Sequence, residues 1–393
     1  MKSNLHTHRA GMALAMFSGC MPLAQADAVT DWNLLANEWV AEAKLGTPPA
    51  IRVLAIVQTA VNNAVSEAVP VASVSAAVAA ANRAALVQLL PAQQVAITAA
   101  YQAALDKVAP GAPRDAGIAI GERAASGVLE ARAEDGATAA VAYRPHTSAG
   151  AYVPTAMPAI PHWSQRRPWL MSSAAEFRPA APPALASATW ASEYDEVKEL
   201  GAKASTRRSA EQTEIARFWE YSMPAIYYGV LRSVALQPGR DIARNARLYA
   251  AATQAMDDAM IGVFEAKYHY NFWRPVTAIR NGDVDGNDAT QRDAGWNSLV
   301  DAPLHPEYPS AHAVLAASIG TVLKADIGNL PMPQLATSSP TAKGTTRHWT
   351  TVESFVQEVS DARIYAGIHY RVSTQASEAM GRSIGELAAS KFL

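Results

Sequence analysis

Lys267 and Arg274 lie seven residues apart at the end of a long helix-like segment, and Arg274 is followed by Pro275. Because proline disfavours helical geometry in the residue before it, we expect the chain to turn at Arg274, which lets the two cationic side chains converge. A guanidinium provides a rigid fork of donors and an ammonium a mobile point charge, a combination that suits a tetrahedral oxyanion. Taken alone, an ion pair with an acid such as Glu265 is the simpler interpretation.

The stretch HPEYPSAHAV, residues 305–314, predicts the start of another helix with Ser310 as its N-cap. The free backbone N–H groups of Ala311 and His312 would point out of this helix start, where the helix dipole favours anions. His312 would then be placed to exchange a proton with the bound group. The plainer interpretation of a lone histidine is a partly buried side chain with one hydrogen bond.

The stretch SDARIYAGIHYRVS adds Arg363 and His369. On a continuous helix these two residues would point roughly 120° apart. Gly367 lies between them and permits a backbone turn that other residues resist, so both side chains can reach one place. The guanidinium would add positive charge to the anion, and the imidazole a nitrogen that can bond to it directly.

Two other clusters of acidic and histidine residues resemble metal sites, but each lacks the spacing that such a site requires. The segment NGDVDGND, residues 281–288, has the acids and glycines of a calcium loop but lacks the bidentate glutamate at the required spacing, so it is more simply a solvated turn. His269, His305 and Glu307 could suggest a divalent-metal hydrolase, but no His-Glu-x-x-His spacing supports one.

The elements that must position these residues are predicted to be helices, so the fold class is all-α, with no strand-like alternation. Asp241 is a natural N-cap for a helix that runs to about Lys267, and Ser209 with Gln212 forms a capping box. Apolar residues at steps of three or four predict one buried face of the long helix: Tyr249, Ala252, Met256, Met260 and Val263. Earlier helices are predicted near 30–46, 48–68, 73–90, 92–108 and 114–134.

Residues 143–185 interrupt this pattern. Eight prolines lie in this segment among aromatic residues such as Trp163 and Trp169, which can anchor it to a core. We therefore predict an irregular excursion that packs along a single domain, residues 27–393, rather than a linker or a disordered segment.

Composition excludes few classes of protein. The 393 residues are 50% hydrophobic and 17% charged, which is ordinary for a globular chain with a sizeable core. The formal net charge of -2 gives no reason to expect nucleic acid or an anionic membrane as a partner. No uncharged apolar run reaches the ~20 residues that span a bilayer.

The first 26 residues are typical of a bacterial secretory signal peptide. Lys2 and Arg9 precede a short apolar run that ends in Ala24-Gln25-Ala26, which predicts cleavage after Ala26 and a secreted or periplasmic protein. Lipoprotein processing at Cys20 is the alternative, which the preceding Phe17 disfavours. Cys20 is the only cysteine, so the mature chain would contain no disulfide.

Taken in order, Lys-x6-Arg-Pro, Pro-Ser-x-His and Arg-x5-His resemble the signature shared by vanadium-dependent haloperoxidases, type 2 phosphatidic acid phosphatases and bacterial class A acid phosphatases. The likeness extends over nearly the whole mature chain, from TDWN through AEQTEIARFW and AKYHYNFWRPVTAIR to ARIYAGIHYR, and is greatest to bacterial vanadium-dependent haloperoxidase-like proteins. It implies a helical bundle of the haloperoxidase and acid phosphatase type.

The resemblance also implies a role for each matching residue. Lys267, Arg274 and Arg363 would hold the equatorial oxygens of vanadate or phosphate, and Ser310 and Ala311 would bind oxygens through a hydroxyl and a backbone N–H. The acid-base group would be His312. His369 would be the axial vanadate ligand in a haloperoxidase, or the nucleophile that forms a phosphohistidine in a phosphatase.

The chain departs from the family pattern at two places. Ala311 stands where the family usually has glycine, which narrows the approach to the anion but keeps the N–H. Ser373 stands where the family usually has an aspartate four residues after the last histidine. A carboxylate on an imidazole fixes its tautomer, so we expect Ser373 to replace part of that role, or Asp361, Asp257 or Asp258 to supply the carboxylate.

Three hypotheses follow for function. The leading one is an exported enzyme that binds vanadate and oxidises halide with hydrogen peroxide. The second is an acid phosphatase that hydrolyses small phosphate monoesters in the same pocket, with His369 attacking phosphorus and His312 protonating the leaving alcohol. The third, motivated by Ala311 and Ser373, is an oxyanion-binding protein without catalysis. No feature predicts an oligomeric state.

Overall fold

The computed structural model describes residues 27–69 and 71–393, so the predicted signal peptide and Cys20 lie outside the described residues. The described chain is helical, with one short β-hairpin, and none of its helices combines the length and apolar character needed to cross a membrane. The helices are α1 (Ala28–Glu42), α2 (Thr47–Ala68), α3 (Val74–Leu89), α4 (Gln94–Leu105), α5 (Ala112–Ala131), α6 (Ala188–Leu200), α7 (Ala210–Phe218), α8 (Ala225–Ala235), α9 (Ile242–Tyr270), α10 (Pro275–Arg280), α11 (Ala311–Ile327), α12 (Val352–Tyr365) and α13 (Arg371–Phe392); the strands are β1 (Leu335–Ser338) and β2 (Thr346–Trp349).

Helix α9 lies at the centre of the bundle and packs against α2, α11 and α13. Its predicted N-cap is confirmed, because the Asp241 carboxylate accepts the backbone N–H of Arg244 at 2.7 Å. Residues 248–264 are buried on every side of the helix rather than on one face alone. The helix ends where Asn271 adopts a left-handed conformation, at φ 48°. The capping box of α7 is also confirmed.

Close packing of α13 against α11 depends on small residues. A Cβ atom added at Gly381 would meet the carbonyl oxygen of Val314 at 2.5 Å, and one at Gly385 would meet that of Ser318 at 2.6 Å. The two helix backbones therefore approach more closely than larger residues allow. This contact fixes α11, whose first turn carries Ala311 and His312, against α13, which begins two residues after His369.

The proline-rich segment packs on α9, as its aromatic residues predicted, and contains one 3-10 helix, Pro161–Gln165. Arg166 in this segment is fully buried and bonds both oxygens of the Asp257 carboxylate, at 2.5 and 2.9 Å. The neighbouring Asp258 accepts the backbone N–H groups of residues 169, 170 and 171. These acids hold the segment to α9, so the suggestion that Asp257 or Asp258 supports His369 is wrong.

The β-hairpin was not predicted. β1 pairs antiparallel with β2, with Leu335 opposite Trp349 and both of these side chains buried. It packs against α8 so closely that a Cβ at Gly229 would overlap the Thr337 hydroxyl. Strands of four residues are too short for a two-residue alternation to stand out in the sequence.

Candidate oxyanion site

The first turn of α11 and the α12–α13 connection meet at a cavity of about 420 Å³. Ala311, His312, Arg363 and His369, four of the seven predicted site residues, line it. Its remaining walls are mostly apolar and come from the α1–α2 loop, the start of α2, the proline-rich segment, α9, the segment before α11 and α11 itself: Leu45, Pro48, Pro49, Ile160, Met260, Phe264, Pro303, Leu304 and Leu315. The other three predicted residues, Lys267, Arg274 and Ser310, are buried behind this lining.

Lys267 neither reaches the surface nor lines the cavity. Its ammonium donates to the backbone carbonyl oxygens of Pro306 at 3.0 Å, Glu307 at 2.9 Å and Pro309 at 2.5 Å. An ammonium has three N–H bonds, so all of its donors are directed at the segment that leads into α11. Burial first, and the Arg274 charge second, hold the pKa of Lys267 far below its usual value.

Arg274 takes the extended conformation predicted before Pro275, with φ -78° and ψ 153°. Its guanidinium donates to the carbonyl oxygens of His305 at 3.0 Å and Ile368 at 2.8 Å, and Nη1 lies 3.2 Å from Nε2 of His369. Glu265 instead pairs with Arg178, so the ion-pair interpretation of Arg274 is wrong. Burial lowers the pKa of Arg274 to about 10, although the Glu307 charge opposes that effect.

Helix α11 begins as predicted, with Ser310 at the N-cap, but the Ser310 side chain makes no capping hydrogen bond. Among the described residues, neither its buried hydroxyl nor Nε2 of His312 has a hydrogen-bond partner. Burial, and then the Arg363 charge, keep the pKa of His312 well below its usual value.

Gly367 makes the turn that brings Arg363 and His369 together. Helix α12 ends at Tyr365, and Gly367 has φ +76°, a conformation that residues with a side chain rarely adopt. Arg363 is 2% exposed and donates to the Trp219 carbonyl oxygen, while its Nε has no partner in the described part of the chain. Burial lowers the pKa of Arg363 to about 10.

The carboxylate that contacts His369 belongs to Glu307. The sequence analysis suggested this residue only as a possible metal ligand. Oε1 of Glu307 lies 2.6 Å from Nδ1 of His369, and its Oε2 accepts the Ser373 hydroxyl at 2.8 Å. Ser373 therefore acts through this carboxylate, whereas Asp361 pairs with Arg371 and does not fill the role. An acid three residues before the N-cap serine was the available signal. Burial raises the pKa of Glu307 to about 7 against the lowering effects of Arg274 and Lys267.

The two alternative metal clusters have other contacts. Asp285 in the 281–288 turn accepts Trp190 Nε1 and the Thr290 hydroxyl, each at 2.8 Å through Oδ2. His305 contacts Arg274, and His269 is exposed near Arg178. Over residues 27–69 and 71–393, no three acidic, histidine or cysteine side chains are grouped to hold a metal cation.

The charges of the site match an anion with several negative charges. Three buried cationic side chains, Lys267, Arg274 and Arg363, surround a region with one buried carboxylate, Glu307. Unpaired buried charge is costly, and the unpartnered Ser310 hydroxyl adds a donor on the same side. Vanadate or phosphate would bring the missing negative charge and the missing acceptors, so the residues present fit such a group.

This chain is a helical bundle with a buried cationic site at a helix N-terminus. Comparison with known proteins finds similarity to vanadium haloperoxidases. Residues 247–393 match the family described as the VCPO second helical-bundle domain. The chain is 31% identical over 170 residues, 36% of its length, to a vanadium chloroperoxidase from Curvularia inaequalis, and it spans 28% of the length of that protein.

Solved structures show the same fold over most of the chain. A bacterial vanadium-dependent iodoperoxidase superposes with a TM-score of 0.79 at 23% identity, over 93% of this chain and 96% of that chain. An apo-type bacterial vanadium-dependent chloroperoxidase gives 0.73 at 16% identity, over 88% and 94% respectively. The chain thus resembles vanadium-dependent haloperoxidases in the sequence of its C-terminal part and in its fold. The family resemblance and the all-α fold predicted from the sequence are thereby confirmed.

Proposed function

We propose that this protein is an exported, vanadate-dependent haloperoxidase that oxidises halide with hydrogen peroxide. The observation that most directly supports this proposal is the excess of buried positive charge at the first turn of α11. Beside it, the Ser310 hydroxyl and Nε of Arg363 have no hydrogen-bond partner in the described chain. The matched relatives are named as vanadium haloperoxidases, which favours vanadate over other oxyanions. When bound, vanadate supplies a Lewis-acidic centre that activates peroxide toward halide without changing its oxidation state.

Arg363 and the helix start would bind the anion, and Arg274, whose donors face carbonyl oxygens and two imidazole nitrogens, would add its charge from behind the lining. Arg363 faces the cavity with an unpartnered Nε, and the Ser310 hydroxyl and the Ala311 N–H lie at the positive end of α11. Lys267 would contribute its charge from behind the site, because its three donors are directed at backbone carbonyls. This differs from the direct contact with an equatorial oxygen that the family resemblance implied.

The two histidines would have separate roles. His369 would bond the vanadium through Nε2, because its Nδ1 is directed at Glu307. His312 would accept or donate a proton through Nε2, which has no protein partner in the described chain. Both imidazoles are neutral at neutral pH, since burial and the nearby cations hold their pKa values well below the usual one. A neutral imidazole can act as ligand or base.

Bromide oxidation by the purified mature protein tests this proposal, measured with hydrogen peroxide before and after loading with orthovanadate. We expect turnover that requires vanadate and disappears in His369→Ala and His312→Ala. His269→Ala is the matched control and should keep full activity, because His269 is exposed on α9 away from the cavity. Turnover without vanadate, or unchanged turnover in His369→Ala, would contradict the proposal.

Export is tested separately: the N-terminus of the secreted protein should be Asp27.

The pairing of His369 with a carboxylate also suits a phosphatase, because a buried carboxylate raises the nucleophilicity of an imidazole. Vanadate binding without bromide oxidation, together with hydrolysis of p-nitrophenyl phosphate that vanadate inhibits, would support this second function. Anion binding with neither activity would support an oxyanion-binding protein.

A further inference from the structure

We propose that Glu307 is the positioning residue for His369, and that Glu307 and Ser373 together replace the aspartate that the family usually carries at position 373. Glu307 would hold the imidazole in the tautomer that has a protonated Nδ1 and an unprotonated Nε2. The Nε2 lone pair could then bond an oxyanion. The inference rests on the proposed function only in taking His369 as the group that bonds the anion.

The neighbours of the two ring nitrogens agree on one tautomer. Oε1 of Glu307 lies 2.6 Å from Nδ1, and in its ionised form this carboxylate can only accept a hydrogen bond, which places the hydrogen on Nδ1. Nη1 of Arg274 lies 3.2 Å from Nε2, and a guanidinium can only donate, so Nε2 must present its lone pair. His369 lines the cavity, so a bound oxyanion would bond Nε2 in place of its present contact with Arg274.

The carboxylate itself is held firmly. It accepts the Tyr370 N–H at 3.2 Å through Oε1 and the Ser373 hydroxyl at 2.8 Å through Oε2. Its own backbone N–H donates to the Phe272 carbonyl oxygen at 2.9 Å, and its backbone carbonyl accepts from Lys267. Because both ends of the residue are fixed and fully buried, its carboxylate can orient the imidazole.

Ser373 also explains why an aspartate does not occupy that position here. Its hydroxyl is the donor to Glu307, so a carboxylate at 373 would place two buried like charges in contact. The Ser373 backbone carbonyl accepts the Ser377 hydroxyl at 2.6 Å, and Ser377 in turn accepts the Ser310 N–H at 2.7 Å. This chain of hydrogen bonds connects the Glu307 carboxylate to the start of α11.

Two measurements test the inference. The first is the ¹⁵N spectrum of histidine-labelled protein, in which we expect His369 to have a protonated Nδ1 and an unprotonated Nε2. The second is vanadate binding by calorimetric titration without halide or peroxide. Glu307→Gln should bind vanadate about 10- to 100-fold more weakly. Glu193→Gln is the matched control and should bind normally, because Glu193 accepts the Val372 N–H at 2.9 Å and does not touch the imidazole.

If the carboxylate can stand at either position 307 or position 373, a second substitution should restore the vanadate affinity that the first one removes. Ser373→Asp alone should weaken vanadate binding, whereas Glu307→Gln combined with Ser373→Asp should regain most of the affinity lost in Glu307→Gln. A double variant as weak as Glu307→Gln would overturn the exchange.

Two results would overturn the positioning role: an Nε2-protonated His369 in the wild-type protein, or vanadate affinity in a folded Glu307→Gln variant within about twofold of wild type. The wild-type spectrum decides the matter even if the variants do not fold. The outcomes also separate the two proposals. Wild-type protein that binds vanadate without oxidising bromide removes the haloperoxidase function and leaves the role of Glu307 standing.

Discussion

Arg363→Met should have opposite effects on stability with and without the bound anion. Arg363 is buried, donates to the Trp219 carbonyl oxygen and forms no ion pair with a carboxylate in the described chain. Burial lowers its pKa from 12.5 to about 10, which corresponds to a penalty of about 3 kcal/mol for keeping the side chain charged. Methionine has a similar length and no charge.

In buffer without phosphate, sulfate or vanadate, the variant avoids that penalty. It also leaves the Trp219 carbonyl without its donor, which costs about 1–3 kcal/mol. The free energy of unfolding should therefore be about 0–2 kcal/mol higher than in the wild type. Vanadate at 100 times its dissociation constant should stabilise the wild-type protein by about 2.7 kcal/mol through mass action. The variant, which lacks a cation at the cavity, should gain much less, so the order of stability should reverse.

Urea unfolding of both proteins, with and without vanadate, measures this reversal. Arg166→Met is the matched control, because Arg166 is equally buried but pairs with Asp257 and Asp135. Leaving these carboxylates unpaired should cost about 3–5 kcal/mol with or without vanadate. If Arg363→Met loses as much stability as Arg166→Met in anion-free buffer, or gains as much from vanadate as the wild type, our account of Arg363 as an unpaired site cation is wrong.

Three further predictions concern the site. Gly367→Ala should lower the free energy of unfolding by about 2–5 kcal/mol, because the residue has φ +76° and its Cβ would meet the Gly201 carbonyl oxygen at 2.4 Å; Gly239→Ala, at φ +80° with open space around it, should cost only about 1–2 kcal/mol, and equal losses would contradict this. Ser310→Ala should weaken vanadate binding about tenfold or more without lowering stability in anion-free buffer, since its hydroxyl has no partner in the described chain; calorimetric titration and urea unfolding check both parts, and unchanged binding would count against the site. His312 has a lowered pKa in the folded protein, so the stability associated with its neutral form is present above pH 6.5 and is lost as the pH falls; His312→Gln should therefore reduce the loss of unfolding free energy between pH 6 and 5, by at most about 1.4 kcal/mol, and an unchanged slope in urea titrations would refute the sign.

Features that depend on a few neighbouring residues could be predicted from the sequence. Asp241 caps α9 because its carboxylate reaches a backbone N–H three residues later, and Arg274 is extended because Pro275 follows it. Gly367 turns the chain because glycine tolerates a positive φ. The order of the three motifs predicted a resemblance to vanadium-dependent haloperoxidases, and the comparisons confirmed that resemblance.

Features that depend on packing could not. Glu307 meets His369 across 62 residues of sequence, and no local spacing predicts that pair. The donors of Lys267 were predicted for the anion, but the fold brings three carbonyl oxygens of the segment before α11 within their reach.

The sequence by itself determined the helices, most of their caps and turns, and the set of cationic residues and histidines, because these follow from residue type and short-range geometry. Only the tertiary structure decided which charges are paired. Arg166 meets carboxylates and Arg363 meets none, although both are buried arginines. The pairing of a buried charge depends on which distant segments pack around it, and that packing determines where an anion would be stabilised.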